Sequence, residues 1–310
     1  MSDKMMEGKV VIVTGAGRGI GREIALLMGK HGAKVVVNDV GISVHGAESD
    51  KDPAREVVET ICADGGEAVV NRDSVAEAES AARIVESAVE HFGAVEHFGC
   101  VDSVVNNAGI LRDHIFHQTT PEELDAVLRV HLYGAFNVSR AAATHFRAQK
   151  SGSFVHMTST SGLISNVGQA NYAVAKLGVA GLSKSLALDM ARYNVRSNCI
   201  SPFAWSRMAG SIPDIPEQSE SLAKARSMSP TDIAPLAVFL ASDAAADVNA
   251  QIFTVRRNEI FLMSQPRPVR AMQCADGWTP ETLATHFRPV MAPSFVPVDV
   301  SSDVFSWDPI

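Results

Sequence analysis

Three side chains near the middle of the chain have the types and spacing needed to move a proton to or from a substrate oxygen. Tyr172 and Lys176 are four residues apart, so a helix would place them on one face. A phenol has a pKa of about 10, and the Lys176 ammonium would favour its ionised form. Ser159 lies thirteen residues before Tyr172, where it could hydrogen-bond the same oxygen. The group predicts acid–base catalysis on a hydroxyl or carbonyl, with hydride transfer as the partner step.

A glycine-rich turn near the N-terminus indicates the partner for that hydride. Gly15, Gly19 and Gly21 follow a β-branched run and precede a segment with helical periodicity. Glycines in this place let the backbone approach a pyrophosphate, which then rests on the positive end of the helix. Asp39 ends the next strand candidate, where its carboxylate could accept hydrogen bonds from the adenosine ribose. These residues predict a dinucleotide site.

The choice between NAD and NADP depends on two side chains of opposite charge. Asp39 would repel the 2′-phosphate of NADP, whereas Arg18 could attract it. No basic residue directly follows Asp39, so NAD is the favoured cofactor and NADP the alternative. The other residues expected to line the dinucleotide are Ile20 in the turn, Asp73 and Ser74 after the third strand candidate, and Asn107, Ala108 and Gly109 after the fourth.

These residues need a scaffold that brings the ends of several strands together. Short β-branched runs alternate with helical segments from Lys9 to about Leu240. The strand candidates are 10–14, 34–39, 67–71, 101–106, 153–158, 195–200 and 251–255, and the helix candidates are 19–32, 54–64, 75–92, 121–149, 169–192 and 231–242. Most strand candidates are uniformly apolar, as strands buried on both faces should be. The pattern predicts an α/β fold, a doubly wound sheet of seven parallel strands with helices on both faces.

The last part of the chain departs from this alternation. Seven of its fourteen prolines lie in the final 45 residues, together with Trp278 and Trp307. Such a density of proline forbids long regular elements, and an aromatic-rich tail is not typical of a solvated linker. We expect residues 1–255 to form the dinucleotide-binding and catalytic domain and residues 256–310 to form an extended arm, packed on that domain or on a neighbouring subunit. Thr279-Pro280-Glu281 predicts one short helix in the arm.

The composition excludes several classes of protein. The 310 residues are 46% hydrophobic and 20% charged, with a formal charge of −8, which is typical of a globular protein and argues against a nucleic-acid partner. The sequence shows neither a secretory signal nor an apolar run of about 18 residues, so we expect neither export nor a membrane span. The four cysteines form no CxxC pair, which favours a cytoplasmic location. His114 and His117 lack an identifiable third ligand, so no metal site is predicted.

Several motifs, taken in their order and spacing, resemble the short-chain dehydrogenase/reductase family. They are TGAGRGIG at 14–21, NNAG at 106–109, Ser159 and YAVAK at 172–176. The resemblance covers residues 8 to about 255 and implies a Rossmann fold. It also implies that Tyr172 is the acid or base, that Lys176 binds the ribose and lowers the pKa of Tyr172, and that Ser159 binds the substrate oxygen. Members typically assemble as homodimers or homotetramers, through the helices expected here at 121–149 and 169–192.

Two positions depart from the family pattern. His131 stands where members often have an asparagine, whose main chain holds a water in a proton relay to the lysine. After the sixth strand, members usually have Pro-Gly and then a threonine that contacts the nicotinamide carboxamide, whereas this chain has Pro202-Phe203 and then Ser206. We therefore expect Pro202 and Ser206 at the cofactor, with Ser206 in place of the threonine.

Longer matches indicate the substrate class. VVVNDVG at 35–41, NNAGILRD at 106–113 and VHLYGAF at 130–136 resemble the dehydrogenase unit of the peroxisomal multifunctional enzyme type 2 group, which is similar to bacterial 3-oxoacyl carrier-protein reductases. The resemblance implies lipid metabolism and a bulky apolar alcohol, either a 3-hydroxyacyl-CoA or a 17β-hydroxysteroid. The apolar residues of segment 203–229 fit such a substrate, and equally a lid that packs on itself. The candidates for binding CoA phosphates are Arg112, Arg207, Lys224 and Arg226.

The sequence thus predicts an NAD-dependent short-chain alcohol dehydrogenase. Two alternatives stay open. One is an NADPH-dependent 3-oxoacyl or carbonyl reductase, and the other is a dinucleotide-binding protein without this chemistry.

Overall fold

The computed structural model describes residues 4–41, 52–93, 101–205 and 227–310. Three sequence predictions fall mainly elsewhere. The polar, non-periodic stretch at 41–53 predicts a surface loop, and the copy of AVEHFG at 94–99, which repeats 88–93, predicts a surface protrusion. Both lie mainly outside the described residues, as do most of the lid expected at 203–229 and Ser206.

One sheet of eight strands forms the centre of the described structure. The strands are β1 (Val10–Thr14), β2 (Lys34–Asn38), β3 (Glu67–Asn71), β4 (Ser103–Asn106), β5 (Gly152–Met157), β6 (Val195–Phe203), β7 (Ile252–Arg256) and β8 (Glu259–Leu262). Their spatial order is β3-β2-β1-β4-β5-β6-β7-β8. The first seven are parallel, and β8 is antiparallel to β7. The doubly wound α/β prediction is therefore confirmed.

The predicted count of seven strands is wrong by one. Arg257 and Asn258 form a tight turn after β7, and Arg257 adopts a positive φ of 53°. The turn folds β8 directly back onto β7, with Arg256 opposite Glu259. Because β8 has only four residues and follows a hairpin rather than a helix, it does not continue the strand–helix alternation from which the count of seven came.

Helices cover both faces of the sheet. They are α1 (Gly19–Lys30), α2 (Pro53–Ala63), α3 (Ala78–Phe92), α4 (Pro121–Leu128), α5 (Gly134–Gln149), α6 (Thr160–Leu163), α7 (Ala170–Asp189), α8 (Ala234–Ala241), α9 (Pro280–Met291) and α10 (Ser301–Val304). In β1, Val11 and Val13 pack with α1, α2 and α8, whereas Val10 and Ile12 pack with α3 and α5. This alternation explains why the strand is apolar at every position. Within the described residues, no helix is long and apolar enough to cross a membrane.

The strand order reverses between β1 and β4. β1 pairs with β2 on one side and with β4 on the other, so the segments that leave Thr14 and Asn106 diverge to opposite faces. Crevices at such switch points bind ligands in open α/β sheets. The glycine-rich turn and the NNAG segment both begin there.

The C-terminal region has two parts. The chain beyond β8 runs along the surface and includes α9, which starts at Pro280 behind a Thr279 cap, as predicted. From Asp299 onward it returns to the sheet and ends beside β7 and β8. The division of the chain at residue 255 stays a prediction, although the hydrogen-bonded β7–β8 pair joins the beginning of the arm to the sheet.

Candidate active site

Helix α7 presents Tyr172 and Lys176 on the face that packs against the sheet. The Lys176 amine lies 5.5 Å from the centre of the Tyr172 ring. The helix is held at its start by Asn171, whose side-chain oxygen accepts a hydrogen bond from the Tyr172 amide at 2.7 Å. The Asn171 amide nitrogen donates to the Arg112 carbonyl at 2.6 Å. The proposed catalytic pair is therefore fixed to the segment that leaves β4.

Lys176 is almost completely buried, with 4% of its surface exposed. Its amine donates to the Met157 carbonyl at 2.7 Å, and its own carbonyl accepts from Thr158 Oγ1 at 2.7 Å. Burial lowers the pKa of Lys176 to about 7. The amine can therefore both bind and release a proton near neutral pH.

The phenol of Tyr172 has the opposite shift from the one that a lysine neighbour alone would produce. Burial raises the pKa of Tyr172 to about 12, a hydrogen bond with Ser159 opposes that shift, and the Asp113 carboxylate adds to it. The Lys176 amine does not counter the rise, because it points at the Met157 carbonyl and burial lowers the pKa of the amine itself. Tyr172 in this arrangement is a proton donor at neutral pH. It would act as a base only when positive charge is brought close.

Ser159 follows β5 and caps the short helix α6. Its backbone is extended, and its Oγ accepts a hydrogen bond from the Ser161 amide at 3.1 Å. The same hydroxyl donates to Ser161 Oγ at 3.1 Å. These contacts fix the position of the Ser159 oxygen, which also shares a hydrogen bond with Tyr172.

Sequence reasoning missed a set of amide and carboxylate side chains behind Ser159. Ser161 Oγ donates to Gln169 Oε1 at 2.7 Å, and Gln169 Nε2 donates to Asp113 Oδ2 at 2.7 Å. Burial raises the pKa of Asp113. Asn166 Nδ2 also donates to Ser161 Oγ, at 2.9 Å. Asp113 stands in the NNAGILRD motif, but its link to Ser159 runs through residues some fifty positions away, which no local pattern indicates.

His131 lies in a π-helical turn, Arg129–Tyr133, that joins α4 to α5. Its Nε2 is 2.7 Å from the Ile110 carbonyl oxygen and 3.0 Å from the Ile110 nitrogen. The ring meets that of Tyr172 edge-on, with centroids 5.2 Å apart. Burial, together with the charge of Lys176, lowers the pKa of His131 well below 6.5, so the ring is neutral. Such turns are frequent at functional sites, and this one directs a histidine inward where relatives often have an asparagine.

A small cavity separates His131 from Lys176. Its volume is about 10 Å³, and its lining includes Thr14, Asn106, His131 and Lys176. The Asn106 Oδ1 and His131 Nδ1 atoms are buried and have no hydrogen-bond partner among the described residues. A volume of this size holds about one water. The expected relay water therefore has room here, beside polar side-chain atoms as well as the main chain.

The glycine-rich turn forms a backbone cradle that a side chain would fill. A Cβ at Gly21 would lie 2.3 Å from the Gly15 oxygen and 2.4 Å from Asn107 Nδ2, and one at Gly15 would lie 2.7 Å from the Ala108 Cα. Asn107 Nδ2 donates to the carbonyls of Thr14 and Gly15, both at 3.0 Å. Helix α1 starts at Gly19 with no acidic residue in its first turn. The arrangement fits a dinucleotide, whose pyrophosphate would meet this positive helix end.

Asp39 borders the same turn. Its carboxylate accepts hydrogen bonds from the amides of Gly17 and Gly41, both at 2.9 Å. It thus holds the turn as well as providing oxygens for a ribose. Arg18 stands at the cap position of α1.

The remaining predicted cofactor residues are spread around this edge of the sheet. Asp73 accepts hydrogen bonds from Ser80 Oγ at 3.1 Å and Arg83 Nε at 2.7 Å, and the Ser74 amide donates to Ser80 Oγ. Pro202 lies near the end of β6, opposite Val255. Ile20 packs against the core under the turn, and Gly109 is in contact distance of the His131 ring.

The sequence of this region is similar to those of known proteins. Residues 15–256 match the family model described as enoyl-(acyl carrier protein) reductase. The chain belongs to the short-chain dehydrogenase/reductase family. In this family the enzymes are oxidoreductases that bind a nicotinamide dinucleotide and act on small molecules. The predicted family and oxidoreductase function are therefore confirmed.

Three relatives show how far the similarity extends. A Mycobacterium tuberculosis protein named as a short-chain type dehydrogenase/reductase is 46% identical over 250 residues, which is 81% of this chain and 82% of the relative. The hydroxyacyl-CoA dehydrogenase ChsB1 of the same organism is 36% identical over 301 residues, 93% of this chain and 90% of the relative. Peroxisomal multifunctional enzyme type 2 of Mus musculus is 41% identical over 249 residues, 80% of this chain but 32% of that protein. The chain thus corresponds to about a third of the multifunctional enzyme.

Two solved structures share the fold. A short-chain dehydrogenase from Mycobacterium avium has a TM-score of 0.82 and 37% identity, and the match covers 96% of this chain and 99% of that one. A 7α-hydroxysteroid dehydrogenase complexed with NADH and 7-oxo glycochenodeoxycholic acid has a TM-score of 0.72 and 29% identity, covering 83% and 96%.

Proposed function

We propose that this protein is an NAD-dependent dehydrogenase of bulky secondary alcohols, with 3-hydroxyacyl-CoA as the preferred substrate class. The observation that carries the proposal is the convergence of Ser159, Tyr172 and Lys176 beside the glycine cradle. The similarity to a hydroxyacyl-CoA dehydrogenase along 93% of the chain supports the acyl-CoA class. The similarity to a structure holding a bile-acid ketone supports a 17β-hydroxysteroid as the alternative.

Each of the three side chains has a role that its surroundings support. Ser159, oriented by Ser161, would hydrogen-bond the substrate oxygen. Tyr172 is protonated at neutral pH and would donate its proton to that oxygen in reduction or accept it in oxidation. Lys176, whose pKa is about 7, would bind the ribose. Its amine could also exchange a proton with a water in the cavity beside His131. A bound nicotinamide supplies the hydride acceptor and, when oxidised, the positive charge that favours the phenolate.

The preference for NAD rests on Asp39. Its carboxylate is fixed at the edge of the turn by the Gly17 and Gly41 amides, so it could not move aside for a 2′-phosphate without losing both bonds. The test is the ratio of kcat/KM for NAD+ and NADP+. We expect the wild-type ratio to exceed tenfold in favour of NAD+, and Asp39→Asn to reduce it. Asp64→Asn makes the same charge change at the surface end of α2 and serves as the control.

The substrate class is tested by the same enzyme with three alcohols. We expect kcat/KM with NAD+ to be highest for a 3-hydroxyacyl-CoA, lower for estradiol and lowest for a simple secondary alcohol. A higher value for estradiol would favour the hydroxysteroid alternative. Strong NADPH-dependent reduction of a 3-oxoacyl thioester would favour the reductase alternative, for which the protonated Tyr172 is the supporting observation.

We also propose assembly into a homodimer or homotetramer through the two long helices of the family. Exposed apolar side chains on these helices support it, namely Phe136 on α5 and Val174, Leu177 and Leu188 on α7. Sedimentation equilibrium measures the mass directly, and a monomer at micromolar concentration would contradict the proposal.

Independence from metal and a cytoplasmic location stay predictions. No group of three or more potential metal ligands occurs within the described residues, and independence from metal is tested by activity after exhaustive chelation. The cytoplasmic location stays a prediction from the sequence.

A further inference from the structure

The last twelve residues return from the surface to the active-site edge of the sheet. We refer to residues 299–310 as the C-terminal segment. Ser165 Oγ donates to the Asp299 carbonyl at 2.6 Å. The Ser301 amide lies 3.2 Å from both the Ser165 carbonyl and Asn166 Oδ1, and donates to these two acceptors. Ser301 is buried, with 5% of its surface exposed. The segment therefore holds the loop that follows Ser159 and α6.

A short series of hydrogen bonds leads from this contact to Ser159. Asn166 accepts from the Ser301 amide through its oxygen and donates to Ser161 Oγ through its nitrogen, at 2.9 Å. Ser161 in turn contacts Ser159 through both its amide and its hydroxyl. Each amide orientation depends on its neighbour's, so the position of Ser301 affects how the Ser159 hydroxyl is held.

The C-terminal segment makes a second contact on the other side of the substrate region. The Phe305 ring packs edge-on against Phe203 and against Phe261, with centroids 5.1 Å apart in both pairs. Phe203 directly follows Pro202, which the family resemblance places at the nicotinamide. Phe305 is itself 8% exposed. The segment thus supports a wall of the crevice as well as the loop that carries Ser159.

A buried arginine anchors the end of the segment. Arg256 is 3% exposed, and both its Nε and Nη2 lie 2.8 Å from Glu259 Oε2. Its Nη1 donates to the carbonyls of Phe305 at 3.2 Å and Trp307 at 2.8 Å. The indole nitrogen of Trp307 donates to Glu259 Oε1 at 2.7 Å. Burying this charge is tolerable only while these partners are present, so the anchor favours the docked position of the segment.

We propose that the C-terminal segment is a functional part of the active site, in which Ser301 is a positioning residue for Ser159 and Phe305 supports the substrate wall through Phe203. This proposal rests on the proposed function, since it assigns the segment to the side of the crevice that would hold the substrate oxygen. The hydrogen bonds and ring contacts described above join the segment to Ser165 and Asn166, to Phe203 and to the β7–β8 pair. The segment should therefore affect the reaction without affecting dinucleotide affinity.

Ser301→Pro removes the donor that begins the series. Residue 301 is the first residue of α10 and follows an extended Val300, so the backbone there accepts proline. Ser301→Ala keeps the amide donor and loses only the hydroxyl, which donates to the Ser165 carbonyl at 3.3 Å, so it separates the two hydrogen bonds of this residue. We expect Ser301→Pro to lower kcat for the secondary alcohol about tenfold, because small misplacements of reacting groups cost this much or more. The loss of kcat in Ser301→Ala should be smaller, and the KM for NAD+ should change less than twofold in both variants.

Amide hydrogen exchange of residues 159–166, measured without substrate, separates the two proposals. A larger increase of exchange there in Ser301→Pro than in Ser301→Ala is the expected result. If the wild type turned over no alcohol but the variants still showed this difference in exchange, the proposed function would be wrong and the coupling between Ser301 and the loop would be supported. Unchanged kcat and unchanged exchange in Ser301→Pro would overturn the inference.

A chain that ends at Val298 provides the second test. It lacks both contacts, so its kcat should fall at least as far as that of Ser301→Pro, with NAD+ binding retained in a direct titration. Wild-type kcat in this shortened chain would overturn the inference. Loss of NAD+ binding as well would also overturn it, by showing that the segment supports the whole fold rather than the substrate side.

Discussion

The nucleotide side and the substrate side of the crevice are held by different kinds of contact. On the nucleotide side, the backbone of the glycine-rich turn packs so closely that a Cβ at Gly21 would lie 2.3 Å from the Gly15 oxygen and one at Gly15 would lie 2.7 Å from the Ala108 Cα. On the substrate side, Ser159 is held by side chains in sequence, Ser161, Asn166 and then the Ser301 amide. The first arrangement has no room for added atoms, whereas the second has room but depends on a distant part of the chain.

This difference predicts which substitutions affect each side. A small increase of side-chain volume should weaken dinucleotide binding on the nucleotide side, because its contacts are fixed by backbone geometry. Removal of a donor or acceptor should weaken the substrate side, because each side chain there is held by only a few hydrogen bonds. The proposed reaction needs both, and the side chains of α7 lie between them.

The largest effect should come from Tyr172→Phe, which removes the proton donor and its hydrogen bond with Ser159 but keeps the glycine cradle and the Ser161, Asn166 and Ser301 contacts. We expect kcat to fall about 1000-fold, within the 10²- to 10⁴-fold range of acid–base catalysis. The affinity for NAD+, measured by fluorescence titration, should stay within twofold of wild type. Turnover of every tested alcohol at the wild-type rate would show that the catalytic assignment is wrong. Weakened NAD+ binding would show that the two sides are not separable at Tyr172.

Gly21→Ala should have the next largest effect, and on the nucleotide side alone. The added Cβ meets a carbonyl oxygen and an amide nitrogen at 2.3 and 2.4 Å, and overpacking of this kind costs about 1–3 kcal/mol. The dissociation constant for NAD+ should therefore rise about 5- to 150-fold. The kcat at saturating NAD+ should change much less.

Gly181→Ala is the control for Gly21→Ala. Gly181 lies in α7, and a Cβ there meets no atom within 4 Å. It should leave NAD+ affinity unchanged. Equal losses of affinity in the two variants would mean that the cradle is not what binds the dinucleotide.

The same difference in contacts explains what the sequence could predict. The bounds of β1 and β3 agree with the predicted runs to the residue, and the cradle was predicted because its contacts follow from glycines a few positions apart. Asn166, Gln169 and Ser301 were not predicted as parts of the site, because their roles arise from contacts as much as 135 residues apart. The prolines and tryptophans of the tail indicated packing but not its location.

The direction of the Tyr172 pKa shift could not be predicted either. The i and i+4 spacing with Lys176 was interpreted correctly as a shared face. Whether the lysine charge or burial dominates depends on the depth of both groups and on the Met157 carbonyl, which accepts the amine's hydrogen bond. Those are properties of the packed structure and not of the spacing.

Two buried histidines, His131 and His156 in β5, should make stability sensitive to acid. Burial, with the charge of Lys176, lowers the pKa of His156 to about 3 and that of His131 well below 6.5. Both titrate near 6.5 in an unfolded chain, so the unfolded state binds more protons as the pH falls below that value. Above pH 6.5 the two histidines do not lower the free energy of unfolding. As the pH decreases below 6.5, the free energy of unfolding should decrease by up to about 1.4 kcal/mol per pH unit for each histidine.

Denaturant unfolding at pH 7, 6 and 5 measures this slope. His156→Asn should reduce it by about half, since one of the two neutral histidines is then gone. Identical slopes in the variant and the wild type would mean that His156 is not kept neutral by the fold.

The smallest effect should come from His131→Asn, which restores the residue often found in relatives. An amide can replace the link to Ile110, because it has both a donor and an acceptor for the two Ile110 atoms that Nε2 approaches. The edge-on contact with the Tyr172 ring would be lost, at about 0.5–1.5 kcal/mol. We expect kcat to fall about threefold, with NAD+ affinity unchanged.

His131→Leu separates the two contacts, because it fills the space but leaves the Ile110 groups without a partner. It should lower kcat more than His131→Asn does, about tenfold, since an unpaired buried polar group costs about 1–3 kcal/mol. Because His131 is neutral throughout the working pH range, neither variant should move the midpoints of the kcat–pH profile. A midpoint shifted by a full unit in His131→Asn would mean that the imidazole takes part in proton transfer. His131 would then join the two sides of the crevice chemically, and not only by position.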